Sequence, residues 1–299
     1  MKRKNRWVVV VFFIMVTLPL LLSFVLFLKV LNLEQQLDEV NQKLSETVVG
    51  KTASAGQADE GGMPQSVLNA DGYGGILDDE VLEVVPNNNL EGKTAYLTFD
   101  DGPSSNTSRI LDILNEYQVK ATFFVVGKTD AESIQLYQRI VQEGHSLGMH
   151  SYSHSYSSIY ASVKAFERDF NKIEALLYRT TGVESKIYRF PGGSSNSVSA
   201  LPMEEFIGFL KEKHVQYYDW NAANGDALGE VLSVNQLVAN TMNSVLRNEN
   251  SIILMHDSDM YDTTVEALPE IITLLQANEI TLLPITEETE PVQHVTIEE

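Results

Sequence analysis

The chain has 299 residues, no cysteine, and 41 acidic against 21 basic side chains, a formal net charge of −20. That charge excludes the basic surface that nucleic acid partners need and serves solubility instead. Without cysteine there are no disulfides or thiolate metal sites, so any metal must be held by His, Asp or Glu.

Lys2, Arg3, Lys4 and Arg6 precede an uncharged apolar run over residues 7–28. As a helix that run spans about 33 Å, enough for a bilayer core. The basic tail 1–6 stays cytoplasmic, which places the rest of the chain outside the cell membrane. A cleaved signal peptide is the alternative, but no small-residue cleavage pattern follows the run. A single-pass transmembrane anchor is expected.

Residues 29–48 form a helical stalk. Val30, Leu33, Leu37, Val40 and Leu44 repeat at alternating spacings of three and four. Two heptads suit a single helix extending from the membrane and leave room only for weak self-association. Residues 49–92, rich in Gly, Ser, Asp and Asn, form a flexible linker.

From Thr94 onward, strand-like runs at 95–99, 121–126, 146–149, 186–190, 215–220, 251–255 and 280–284 are separated mostly by helical patterns. The helices are expected at 108–117, 131–143, 163–178, 203–213, 234–245 and 265–277. Strand followed by helix, repeated, predicts an α/β fold of parallel strands with crossover helices. Seven strands suit a barrel near the (β/α)8 type or an open doubly wound sheet. Residues 287–299 read as an acidic tail.

The chemically loaded residues fall at the ends of these strands, where parallel α/β folds build active sites. Thr98-Phe99-Asp100-Asp101-Gly102-Pro103 ends the first; by itself it would be a solvated turn. In His150-Ser151-Tyr152-Ser153-His154 the two imidazoles share a face if the segment is helical. With Asp101 they make a two-His, one-carboxylate set that leaves positions open for water and substrate. Arg189-Phe190-Pro191-Gly192-Gly193, Asp219-Trp220 and Leu254-Met255-His256-Asp257 end three more strands. His145, His214 and His294 lack partners in sequence and read as structural.

These five clusters, in this order, resemble the motifs of the polysaccharide deacetylase family, also called carbohydrate esterase family four, with its NodB homology domain. The resemblance covers residues 93–286 and extends to the peptidoglycan N-acetylglucosamine deacetylases within the family. It implies a distorted (β/α)7 barrel of parallel strands. It also implies that Asp101, His150 and His154 hold a divalent metal, Zn2+ first, with Co2+, Ni2+ or Fe2+ as alternatives. By the same resemblance Asp100 is the general base and Arg189 orients it. Asp219 tunes His256, the general acid. Pro191, Gly192, Trp220 and Leu254 bind substrate, Gly192 through its backbone N–H. Many members carry Tyr or Phe at the position of Gly192, so glycine is expected to open the groove.

Chemistry supports such roles: amide hydrolysis needs an activated water, a stabilised oxyanion and a proton for the leaving amine. The rival readings are a silent glycan-binding module, a non-haem iron oxygenase and a metalloprotease. All five clusters are present, which argues against the first. Alternating strand and helix argues against the second, and the lack of His-Glu-x-x-His against the third. The topology is directly testable: cell-associated protein should retain residues 1–28 by N-terminal sequencing, and a terminus cut near residue 30 would exclude the anchor.

Overall fold

The computed structural model describes residues 92–297, apart from Ala200 and Glu230. The expected tail 1–6, anchor 7–28, stalk 29–48 and linker, save Gly92, lie outside the described residues. Among the described residues no helix is long and apolar enough to cross a membrane.

The domain is α/β with every strand pairing parallel. Its elements are β1 (Thr94–Asp100), α1 (Ser105–Glu116), β2 (Thr122–Val126), α2 (Ala131–Gln142), β3 (Ser146–Ser151), α3 (Tyr156–Ile159) and α4 (Val163–Thr181). There follow β4 (Ile187–Tyr188), α5 (Met203–Glu212), β5 (Gln216–Tyr217), β6 (Ala222–Ala223), α6 (Val234–Leu246), β7 (Asn250–His256), α7 (Asp262–Ala277) and β8 (Thr281–Leu282). Side-chain caps start several helices: Ser104 for α1, Asp130 for α2, Ser162 for α4 and Ser233 for α6.

The strand order is β5-β4-β3-β2-β1-β7-β6, with β8 beside the start of β1. The two ends of that order are consecutive in the chain. One kinked run pairs with β4 through Gln216 and Tyr217, then with β7 through Ala222 and Ala223. The expected strand at 215–220 is therefore cut short by the kink, and β6, which the sequence did not announce, carries its continuation. The sheet curls because this one segment serves both of its edges, consistent with the barrel expected rather than an open sheet.

Strand alternation sorts the side chains into two cores. Ala95, Leu97 and Phe99 face the helices in the larger cluster, with Ile110, Leu268 and Ile271 among their companions. Phe124, Ile187, Tyr218, Ile252 and Ile285 fill the inside of the curl, with Tyr96, Trp220 and Val292 packed on them. Moving along each strand two residues at a time from these interior positions reaches Asp100 from Tyr96 by way of Thr98, Arg189 from Ile187, and His256 from Ile252 by way of Leu254. Gly148 precedes His150 by the same step, and a Cβ there would meet the Phe124 ring at 2.5 Å.

Of the expected acidic tail at 287–299, the described residues 287–297 pack on the domain. Asp219 N donates to Val292 O (2.8 Å), His294 N to Asp219 Oδ2 (2.7 Å) and Val295 N to Ser194 Oγ (3.0 Å). Tyr217 Oη also donates to Val295 O. Truncation after Glu290 would leave Asp219, fully buried, without two of these partners. Stranded buried polar groups cost about 1–3 kcal/mol each. A melting temperature several degrees lower is expected by calorimetry; an unchanged value would mean the segment is dispensable.

Candidate active site

Three ligand-type atoms converge beyond the end of β1. The side chains of Asp101, His150 and His154 present donor atoms all within 4.8 Å of one another. Asp101 Oδ1 lies 3.1 Å from His154 Nε2 and 3.5 Å from His150 Nε2. That oxygen is buried and accepts no hydrogen bond of good geometry. His150 Nδ1 sits 2.7 Å from Arg189 O, so the proton belongs on Nδ1 and the Nε2 lone pair faces Asp101. An orphaned carboxylate oxygen facing imidazole nitrogens fits the donor set that could hold a divalent cation.

The histidines do not share a helix face. His150 is on β3, and His154 lies in the turn after it with φ 48°. Asp101 also adopts a left-handed conformation, φ 74°. Two non-glycine residues at positive φ in one cluster are strained positions that the surroundings must hold. Asp169 on α4 holds the turn, accepting from Ser151 Oγ (2.7 Å), Tyr152 N (2.6 Å) and Ser153 N (3.0 Å). Asp257 holds the other side, accepting from Ser104 Oγ (2.7 Å) and Thr107 Oγ1 (2.6 Å). Gly102 lets it approach, since a Cβ there would meet Asp257 Oδ2 at 2.3 Å.

Electrostatics follow from this packing. Burial raises the Asp101 carboxyl, but the polar contact with His154 and the imidazoles of His150, His154 and His256 outweigh it and hold it well below the usual carboxylate range. Burial pushes His150 down and keeps it neutral. Burial also opposes a charged His154, yet Asp101 wins and raises it. The geometry that favours a proton between Asp101 and His154 equally favours a cation, whose binding would release that proton.

Arg189 is fully buried and makes four contacts. Nη1 donates to Asp100 Oδ1 (2.8 Å) and Thr98 Oγ1 (2.7 Å), Nε to Tyr218 O (2.9 Å) and Nη2 to Asp219 O (3.0 Å). The guanidinium also stacks over Phe124 at 4.2 Å. The expected pairing of Arg189 with Asp100 is thus present. Asp100 Oδ2, on the other side of the carboxylate, lies 3.9 Å from His150 Nε2.

The expected partner of His256 is not. His256 Nδ1 pairs with Asp226 Oδ1 at 2.7 Å, and Asp226 Oδ2 accepts from His256 N and Thr264 Oγ1, each at 2.8 Å. Asp219 faces the other way and accepts from Ser194 N (2.8 Å), Ser194 Oγ (2.5 Å) and His294 N. Tyr218 and Trp220 point inside the curl, so Asp219 between them points out. Burial disfavours a charged His256, but the hydrogen bond and charge of Asp226 outweigh it, with Asp100 and Asp101 adding, and carry it up to about 9.

Asp219 instead fixes the turn after β4. Gly192 and Gly193 stand at φ 77° and 79°. A Cβ on Gly193 would meet Trp220 Cη2 at 2.9 Å. The Gly192 N–H has no hydrogen-bond partner among the described residues. Pro191 O accepts from Tyr160 Oη at 2.8 Å. Glycine at 192 does not open the groove as expected: a Cβ there would meet Tyr156 Cε1 at 3.0 Å, so a neighbouring ring already fills the space. Leu254 lies two residues before His256 on the same side of β7 and is buried beneath it. His145 is structural, as read: its Nδ1 accepts from Ala121 N at 3.1 Å, and burial, with Lys120 and Arg139, lowers it to about 4.

Residues 87–206 match the family model for polysaccharide deacetylase. The catalytic domain of a peptidoglycan N-acetylglucosamine deacetylase from Eubacterium rectale is 37% identical, with a TM-score of 0.65, over 69% of this chain and 94% of that one. A putative polysaccharide deacetylase of Bacillus subtilis is 34% identical over 63% of this chain and 65% of its own length. A peptidoglycan-N-acetylglucosamine deacetylase of Bacillus cereus is 31% identical over 62% and 66% respectively. This chain therefore covers slightly under two thirds of the length of these two relatives. The chain belongs to the polysaccharide deacetylase family.

Asp169 and Asp226 escaped the sequence reading. Asp169 had a signal: it sits among Phe166, Phe170 and Ile173 on the buried face of α4, where a carboxylate needs partners. Replacing Asp169 by Ala should free the turn that carries His154. Losses of this kind typically weaken cation affinity about 10–100-fold. Calorimetric titration with Zn2+ measures it, and unchanged affinity would remove Asp169 from the site.

Proposed function

We propose that this protein is a divalent-cation-dependent hydrolase that removes N-acetyl groups from a polysaccharide, N-acetylglucosamine in peptidoglycan foremost. The observation that carries this is the placement of two opposed proton-transfer groups around one cation site. Asp100 and His256 pair in register on β1 and β7, and Asp101, His150 and His154 gather beside them.

A cation held by Asp101, His150 and His154, Zn2+ foremost, would supply Lewis acidity toward the acyl carbonyl and the attacking water. Asp100 takes the proton from that water, its other oxygen being held by Arg189. The Gly192 N–H, free of internal partners, donates to the oxygen that gains charge. His256, kept protonated by Asp226, gives its proton to the departing amine. Leu254 lies on the interior side of β7 and Trp220 on that of the run between β5 and β6, where they can meet the acetyl methyl.

The family supports acetamide chemistry, and the names of the relatives from Eubacterium rectale and Bacillus cereus favour peptidoglycan. The proposed anchor at 7–28 points the same way. A linker of about 40 residues reaches roughly 35 Å, which restricts a tethered enzyme to polymers beside its own membrane. An exopolysaccharide or chitin-like polymer of N-acetylglucosamine is the second reading. A relative named a bifunctional xylanase/deacetylase, 32% identical over 67% of this chain, makes an acetylated xylan worth including. Acetate release on peptidoglycan, poly-N-acetylglucosamine, chitin and acetyl-xylan tests the assignment; release from none would leave a silent glycan-binding module.

The metal and the base separate by mutation. His150→Ala or His154→Ala should lose cation and activity together. Asp100→Asn should keep the cation and lose about 10²–10⁴ in kcat. Near-full activity in cation-loaded Asp100→Asn would sink the base assignment.

The acid has a pH signature. His256 is active while protonated, so activity falls as pH rises through its pKa. Asp226 holds that pKa up, and removing its charge must lower it. Asp226→Asn should therefore move the alkaline limb to lower pH, whereas Asp219→Asn should leave its position unchanged. The reverse pattern in the two pH profiles would restore Asp219 as the partner.

A further inference from the structure

Tyr156, the first residue of α3, has no role in the chemistry above. Its ring stands edge-on to His154 with centroids 5.5 Å apart, and also edge-on to Tyr160 at 6.1 Å. Tyr160 in turn holds Pro191 O, so the ring is wedged between the cation site and the turn that carries Gly192. The approach is tight. A Cβ on Gly192 would come within 3.0 Å of Tyr156 Cε1 and 3.2 Å of its hydroxyl oxygen. The ring remains partly exposed, and its hydroxyl makes no hydrogen bond among the described residues. The hydroxyl of Tyr160, by contrast, is engaged with Pro191 O.

We propose that Tyr156 is a substrate-contacting residue that forms the wall of the saccharide groove over Gly192 and donates its hydroxyl to the glycan. An aromatic ring offers an apolar surface to the C–H face of a pyranose, and its phenol offers a polar handle at the rim. A half-exposed ring with an unengaged donor, fixed by packing on two sides, is the kind of group that orients a ligand in a largely preformed site. The bare Gly192 backbone is what permits this. A Cβ at 192 would crowd the ring, so here the wall comes from the β3–α4 connection instead of the turn after β4. This inference rests on the deacetylase reading and adds where the sugar is gripped.

The test uses the full chain loaded with Zn2+ and a tetramer of N-acetylglucosamine as probe. Binding is followed by calorimetry, and acetate release gives kcat and KM. Tyr156→Phe removes one hydrogen bond and should weaken binding by roughly three- to tenfold. Tyr156→Ala also removes the wall and should weaken it at least about tenfold. The losses should appear in Kd and KM rather than kcat. Wild-type affinity in Tyr156→Ala overturns the proposal. So does a loss in Tyr156→Phe that falls on zinc content and kcat with KM unchanged, because Tyr156 would then only prop His154. A wild-type protein that binds no tetramer also overturns it. If the wild type binds the tetramer but releases no acetate, the deacetylase reading fails, while the affinities of the two variants still decide the role of Tyr156.

Discussion

A buried guanidinium organises this domain. Arg189 has no exposure to solvent, yet its charge is satisfied by a carboxylate, a hydroxyl and two backbone carbonyls, and its flat face lies on Phe124. These contacts join β1, β4 and the kinked run that begins at β5. Taking such a charge out of water is tolerable only when its donors find partners, and breaking a buried pair typically costs about 3–5 kcal/mol. The requirement works in both directions. Arg189 fixes the Asp100 carboxylate beside the Asp101, His150 and His154 cluster, and the kinked run stays in place because its carbonyls accept from the same guanidinium.

Around this centre the site is assembled by strand alternation. Asp100, His150, Arg189 and His256 all occupy the position two residues beyond an interior-facing one of the same extended run. A slip of one residue in any of these strands would turn its functional group toward the helices. The rest of the machinery consists of props. Asp169 and Asp257 hold two turns in which non-glycine residues take left-handed backbone conformations, and each reaches its turn from a different helix or strand end. Asp257 lies deep enough that burial lifts its carboxyl to about 6 against the hydrogen bonds from Thr107 and Ser104.

The sequence was most legible where apolar runs end in charged residues. β1, β2, β3 and β7 lie where the runs place them, and the carboxylates and imidazoles at their ends do converge. It was least legible where the chain kinks. Asp219 and Trp220 are neighbours on an extended segment, so they cannot both face the interior; alternation alone argues that Trp220 excludes Asp219 from the site. Asp226 was hidden because it follows Gly225 in a loop without periodicity, although it lies close in sequence to the strand end first suspected. Helical spacing misdescribed His150 and His154, since a strand end followed by a left-handed turn brings them together just as well. The acidic composition of residues 287–299 concealed Val292, Val295 and Ile297, which pack on the domain.

That last contact also sets an order in time. Asp219 waits for His294, 75 residues further along, before its second carboxylate oxygen gains a backbone partner. On a ribosome, every strand of the curl is made before residues 292–295 exist. The strand ends that carry Asp101, His150 and His154 are therefore made first, while the Gly192-Gly193 turn gains its last restraint from a segment that follows them all in the chain. Geometry at the Asp101, His150 and His154 cluster and geometry at the glycine turn are thus separated by birth order, even though Tyr156 touches both in the finished fold.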